Sequence, residues 1–178
     1  MKKIICVLSF LMSFGLVAQT TYLHCGQVFD SASGKMKKEQ TIVVEDNLII
    51  AINKGYTTVD SDSIQLIDLK AKTVYPGFID MHVHIESESN PQAYLNRYRL
   101  NEADVAYDAA VYAERSLMAG FTTVRDMGGS GVNIALRNAI AKGKIPGPRI
   151  FTAGKTLAST GGHGDPTNGN KDEFQGDP

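Results

Sequence analysis

Two imidazoles stand two residues apart, His82 and His84, at the end of the run Tyr75-Pro-Gly-Phe-Ile-Asp-Met-His-Val-His84. Side chains of a strand alternate faces with a period of two. An extended segment here sets Phe78, Asp80, His82 and His84 on one face and Ile79, Met81, Val83 and Ile85 on the other. The second face is wholly apolar, which predicts packing against helices. Neutral imidazole is the usual ligand for zinc and similar borderline ions, and a catalytic site gathers several such ligands around one open position. A bare His-x-His has two readings, a pair of metal ligands or two half-exposed histidines of a strand. Asp80 divides in the same way. It is either a partner that fixes a ring tautomer or a structural carboxylate one alternation below the pair.

The elements that must position this pair come in two styles. From about Thr21 to Lys72 the chain reads as short strands, Tyr22 to Phe29, Thr41 to Val44, Leu48 to Ile52 and Ile64 to Leu69, rich in β-branched and aromatic residues. Turn chemistry separates them at Asp30-Ser-Ala-Ser-Gly34, Glu45-Asp-Asn47 and the polar stretch Thr57 to Ser63. Pro76-Gly77 then changes the pattern to strands alternating with helices, which argues for parallel β/α units. One helix is expected from about Glu102 to Ala119, with Asn101 as N-cap, Asp104 at the third helical position, a stripe of Ala106, Ala110, Ala113 and Leu117, and Gly120 as its stop. A second is expected from about Val132 to Lys142, with Ala135, Leu136, Ala139 and Ile140 on one side, Ser130 as cap and Gly143 as stop. The tract Ile145-Pro-Gly-Pro148 leads into a third strand.

Three motifs in this order carry a resemblance. Pro76-Gly-Phe-Ile-Asp-Met-His-Val-His84 resembles the first barrel strand of the amidohydrolase superfamily of metal-dependent hydrolases. Ala119-Gly-Phe-Thr-Thr-Val-Arg-Asp126 is similar to that superfamily's second strand. Pro148-Arg-Ile-Phe-Thr-Ala-Gly154 and Thr160-Gly-Gly-His-Gly-Asp165 are similar to its third strand and the loop that follows. The set is most similar to the imidazolonepropionase-related branch and its prolidase-like members, from about Tyr22 to the last residue.

The resemblance implies an α/β fold, the N-terminal part of a TIM-type β/α barrel preceded by a small β-sandwich segment. Residues 19–74 would form the sandwich segment and 75–178 the first three β/α units. It also implies that His82 and His84 bind one metal of a one- or two-ion divalent centre, zinc foremost, which activates water for attack on an amide carbonyl. His163 takes a substrate-facing role by the same resemblance, against the alternative of a solvated loop histidine. The family's remaining ligands, a lysine and two histidines, and its aspartate proton shuttle would lie past Pro178. The implied activity is hydrolysis of carbon–nitrogen bonds, as prolidase-like cleavage of a dipeptide. An imidazolonepropionase-like action on a cyclic amide and a non-catalytic, truncated binding module stand as alternatives.

Barrel sites open at the C-terminal ends of the strands, where His82, His84, Arg125, Asp126 and His163 all fall. Arg125 and Asp126 read as a structural ion pair, with a contact to substrate as the alternative. The acidic stretch Glu86-Ser-Glu-Ser-Asn90 reads as a solvated loop, with tuning of the barrel mouth as the alternative. Roughly 100 residues run from Pro76 to Pro178, whereas an eight-unit barrel takes about 250. The chain therefore reads as the N-terminal portion of a longer enzyme, inactive alone.

Composition narrows the partners. A formal net charge of -1, with no basic stripe, gives no sign of a nucleic-acid partner, so none is expected, and 43% hydrophobic residues in 178 is globular content. Met1-Lys-Lys followed by apolar Ile4 to Val17 reads as a signal peptide, residues 1–18, cleaved between Ala18 and Gln19. The apolar stretch is short of the about 20 residues that a spanning helix needs. Export to the periplasm or medium is expected, with no membrane span in the mature chain. Cys6 would leave with the signal. Cys25 would stay as a small hydrophobe on the first strand, with no disulfide partner.

Overall fold

The turn residues of the N-terminal segment fold it into a sheet that runs mostly antiparallel. The structure, a computed structural model, describes residues 20–59 and 64–165. The signal-peptide reading of residues 1–18 lies outside the described residues, as does part of the polar stretch Thr57 to Ser63. The chain divides into two units, Met1–Pro76 and Gly77–Pro178.

The first unit contains β1 (Thr20–Asp30), β2 (Lys35–Glu45), β3 (Leu48–Lys54) and β4 (Ile64–Val74), in the spatial order β3-β2-β1-β4. β1 pairs antiparallel with β2 and parallel with β4. All four strands include the expected β-branched and aromatic runs, but β2 begins at Lys35, before the run from Thr41, and β4 continues past Leu69 to Val74. The β1–β2 turn is closed by the Asp30 carboxylate, which takes Lys37 Nζ at 2.8 Å and accepts from Ser33 Oγ at 2.6 Å. The hydrogen bonds from Lys37 and then Ser33 hold its carboxyl down at about 2. Cys25, Val28 and Ile42 form the buried cluster, flanked by Leu23, Val44, Leu69 and Val74. Cys25 is unpaired, and burial pushes its thiol up. Gly26 is required where it stands, since a Cβ would overlap the backbone of Lys70 on β4. The described residues of this unit make one sheet; a second layer of a sandwich is not among them.

In the second unit, β5 (Phe78–Val83), β6 (Phe121–Asp126) and β7 (Arg149–Thr152) form a parallel sheet in sequential order. They alternate with α1 (Ala93–Arg99), α2 (Glu102–Met118) and α3 (Val132–Ala141). The fold is thus α/β. α2 begins as its sequence predicts, with Asp104 Oδ2 accepting from the Asn101 N–H at 2.9 Å. Gly120, at φ +99°, ends it in a conformation that glycine enters without penalty. Ala109 and Ala113 are its buried residues and Ala110 packs on the same core, so the expected stripe of Ala106, Ala110, Ala113 and Leu117 holds at Ala110 and Ala113, and Ala109 joins it. α3 buries Asn133 and Leu136, while Ala135 is exposed. α1 has no buried residue and was not signalled by apolar periodicity.

The helices cover one side of this sheet. Ile85, Val124 and Ile150 pack with Ala109, Ala113 and Leu136. Val124 stands beside Ile150 in register, and Arg125 beside Phe151 points to the opposite side. On that opposite side Phe151 is 59% exposed.

The expectation of an apolar β5 face packed on helices holds only for its C-terminal half. Val83 and Ile85 join the core, whereas Ile79 and Met81 are 61% and 54% exposed. The cause is a register shift: Asp80 pairs with Val124 and Val83 with Asp126, so β5 carries one extra residue between them. Strict alternation fails there. Asp80 stands beside Val124, a residue of the helix-covered side, and so leaves the face expected to carry both histidines.

A candidate metal and substrate site at the strand ends

The extra residue in β5 is held by two local hydrogen bonds. Asp80 Oδ1 accepts from the backbone N–H of His82 at 2.9 Å, and Arg125 Nε donates to the carbonyl of Met81 at 2.7 Å. Asp80 is therefore a structural carboxylate that shapes the backbone under the pair, and no ring nitrogen is its partner. Arg125 serves the same bulge from β6. The expected Arg125–Asp126 ion pair is not formed, because Asp126 faces the helices and Arg125 the other side.

Beyond the bulge the two imidazoles come together, ring centroids 5.4 Å apart and planes at 68°. Both residues are exposed. His84 Nδ1 lies 2.8 Å from the carbonyl oxygen of Gly128. A carbonyl can only accept, so Nδ1 carries a proton, and in the neutral ring Nε2 then keeps its lone pair. Metal-ligating histidines are commonly held this way, one ring N–H given to a carbonyl and the other nitrogen turned to the ion. The arrangement fits a divalent metal at the pair. Two imidazoles are half of a tetrahedral set, and among the described residues no group of three or more ligand-type side chains gathers.

Gly128 itself is fixed by Asp126, which is 1% exposed. One carboxylate oxygen accepts from the Gly128 N–H at 2.8 Å and from Asn133 Nδ2 at 3.1 Å, and the other accepts from the Ile85 N–H at 2.9 Å. Thr152 Oγ1 adds a longer contact at 3.5 Å. One buried carboxylate thus joins the ends of all three strands and the first turn of α3.

Glu86 departs most from expectation. Its side chain is not that of a solvated loop: Oε2 accepts from the Ser130 N–H and Oε1 from the Asn133 N–H, each at 2.6 Å. It caps the start of α3 from the segment that follows β5, where a negative charge meets amides left free at a helix start. Ser130, the cap expected from sequence, makes only a 3.3 Å contact to the Val132 N–H, and the N-cap position falls to Gly131 at φ +111°. Gly129 leaves the room, since a Cβ there would overlap the Glu86 carboxyl group.

His163 sits on a turn after β7. The Gly161 N–H donates to Asp165 Oδ2 at 2.7 Å, and Gly161 has φ +72°, as the flanking glycines suggest. His163 and His84 line one concavity of about 740 Å³ together with Glu88, Tyr94, Asp108 and Tyr112. His82 is not part of that lining. Burial, then the charges of Glu88 and Asp108, push the Tyr112 phenol up. The structure therefore brings His82 to His84, and His84 to the same hollow as His163. Sequence reasoning places Asp126 at the strand ends and Glu86 in the adjoining loop but misses what they bond, and it misses Gly128 and Asn133 altogether. The sequence signal for the Gly128 turn is Asp126-Met-Gly-Gly129, which suits an Asx-type turn.

Three comparisons bear on this geometry. The chain resembles the crystal structure of a Xaa-Pro dipeptidase with bound methionine in the active site, with a TM-score of 0.77 and 42% identity over 86% of this chain and 38% of that one. A prolidase complexed with N-methylphosphonate-L-proline gives 0.69 and 37% over 82% of this chain and 34% of that one. The ochratoxinase of Aspergillus niger is 26% identical over 158 residues, 83% of this chain and 31% of the relative, so the chain spans a minor part of each relative's length. The model of the Amidohydrolase family matches residues 73–176, a span that holds both histidines, the Asp126 junction and the turn of His163. With more than half of its length inside that match, the chain belongs to the amidohydrolase family.

Proposed function

We propose that this chain supplies the opening strands and two metal ligands of a metal-dependent amidohydrolase that cleaves dipeptides of the prolidase kind. The observation that carries the reading is the hydrogen bond from His84 Nδ1 to Gly128, which leaves Nε2 for a metal beside His82. Amidohydrolases generally depend on a divalent ion, and zinc suits a histidine pair. The likeness to a Xaa-Pro dipeptidase and a prolidase supports a dipeptide over a cyclic amide. The exposed strand side bearing Ile79, Met81 and Phe151 suits the interior of a β/α barrel with further strands around it. A β-sandwich built on the first unit's sheet belongs to the same proposal.

In this reading His82 and His84 hold the ion, and the Gly128 carbonyl raises the basicity of the His84 ring and fixes its direction. A divalent ion at this place would bring the pKa of a water close to neutrality, so that a nucleophile is available at ordinary pH. His163 faces the same hollow as His84 and, charged or as a neutral donor, would take the free carboxylate of a dipeptide. Turnover is assigned to the complete enzyme, meaning a protein in which the remaining ligands and a proton shuttle join these residues. The proposal extends to export with a mature start near Gln19, which N-terminal sequencing of exported material tests; an intact Met1 on cytosolic protein would refute that part.

The test of function is metal analysis of the complete enzyme together with assays on Xaa-Pro dipeptides and on an imidazolone. Metal-dependent dipeptide cleavage is expected. Cleavage of the cyclic amide alone would move the assignment to an imidazolonepropionase-like enzyme, and metal without turnover of either would leave a binding module.

A further inference from the structure

His84 takes its direction from a backbone carbonyl, which no side-chain substitution can delete. What holds that carbonyl in place is therefore the question. The carbonyl of Gly128 and the N–H of Gly129 belong to one peptide plane. That plane is fixed at both ends, by His84 Nδ1 at 2.8 Å and by the Gly154 carbonyl, which accepts from the Gly129 N–H at 2.8 Å. The N–H of Gly128, one peptide earlier, goes to Asp126 Oδ1, while Asp126 Oδ2 takes the N–H of Ile85. The Ile85 N–H in turn belongs to the peptide whose carbonyl is that of His84. A single buried carboxylate thus ties the residue that carries the imidazole to the residue that carries its acceptor, one on each oxygen.

We propose that Asp126 is a positioning residue for His84, selecting the Nδ1–H tautomer and the direction of Nε2 through Gly128, and so setting the affinity of the pair for a divalent ion. It touches neither metal nor substrate. The inference rests on the metal-site reading above but concerns the orientation of the ring, which exists before any ion binds. Asparagine at this position keeps the shape and replaces one acceptor oxygen by an NH₂ donor. Either the Ile85 or the Gly128 amide then faces a donor, and one of the two ties is lost.

The experiment compares the complete enzyme and its Asp126→Asn variant in two measurements. Imidazole ¹⁵N spectra of the metal-free proteins report which nitrogen of His84 carries the proton. Titration with zinc alone reports affinity. The wild type is expected to show one tautomer with Nδ1 protonated. The variant is expected to show mixed tautomers and zinc binding weaker by about tenfold to a hundredfold, the usual range for a partner behind a ligand. A folded variant with the wild-type tautomer and affinity would make Asp126 a purely structural junction and overturn the proposal. If Asp126→Asn does not fold, Asp126→Glu, which keeps the carboxylate but displaces it, takes its place with the same two readouts and the same refuting result, and an Nε2-protonated His84 in the wild type overturns the proposal outright. Loss of all dipeptidase activity in the assays above, with these spectra as expected, would sink the substrate assignment and leave the positioning role standing.

Discussion

Glu86 and Gly129 offer a prediction in which two substitutions should cost the same thing once. Glu86→Ala removes the acceptor of two helix-start amides, each bonded at 2.6 Å. Loss of a helix cap costs about 0.5–2 kcal/mol, and a hydrogen bond to a charged group contributes about 1.5–3 kcal/mol. Glu86 is only half-buried, so water recovers part of this, and the expected net loss is about 2–3 kcal/mol at the α3 N-terminus. Gly129→Ala reaches the same state by another route. All three nearest neighbours of the new Cβ are atoms of the Glu86 carboxyl group, which must leave its two amides to make room. The φ of Gly129 is not in the left-handed region, so the backbone itself tolerates alanine. Each single variant should therefore open α3 to a similar extent, and the double variant should be no worse than either, a coupling of about 2–3 kcal/mol. Hydrogen exchange of the α3 amides is the assay, because it reports local opening without requiring a global transition. At about 1.4 kcal/mol per tenfold, exchange should quicken by roughly 30-fold to 140-fold in all three variants. Additive effects, or a Gly129→Ala variant with wild-type protection, would show that the carboxylate is not held between those amides.

Replacing His82 or His84 by alanine should lower bound metal together with rate in the complete enzyme. A double variant with full metal content and activity would make the pair structural. The 178-residue chain by itself should show no dipeptide hydrolysis, since two histidines fall short of the three protein ligands usual for catalytic zinc, and metal-dependent turnover by the purified chain would refute this. His163→Ala should raise KM and lower kcat/KM while leaving metal content unchanged. Lost metal would make His163 a ligand, and unchanged kinetics would return it to a solvated loop.

What sequence made legible were the features that repeat or punctuate. The strands of the first unit follow from β-branched runs cut by Asp30-Ser-Ala-Ser-Gly34 and Glu45-Asp-Asn47, while the polar half of β2 from Lys35 and the end of β4 to Val74 carry no such signal. α2 was bounded by Asn101 and Gly120 because capping and left-handed glycine are local chemistry. The two histidines were visible as residue types at a spacing. Failures came where tertiary contacts outweighed local pattern. The period of two assumed for β5 broke at the extra residue between Asp80 and Val83, whose supports, the Asp80 carboxylate and Arg125 from β6, are separated by over forty residues in the chain.

Asp126 and Glu86 show why the charged residues of this site resisted assignment. A carboxylate beside an arginine suggests an ion pair, and an acidic loop suggests solvent, because charge is costly to bury without partners. Here the partners are backbone N–H groups, which every residue but proline carries and which leave no mark in sequence. Three strand ends and a helix start converge at one point, and each arrives with amides that the sheet and helix cannot satisfy internally. Two carboxylates among these amides satisfy them without a cation. The same convergence delivers the Gly128 carbonyl to His84. The residue types needed to bind a metal can thus be read from the chain, while the direction in which they point is set by main-chain groups whose positions only the fold determines.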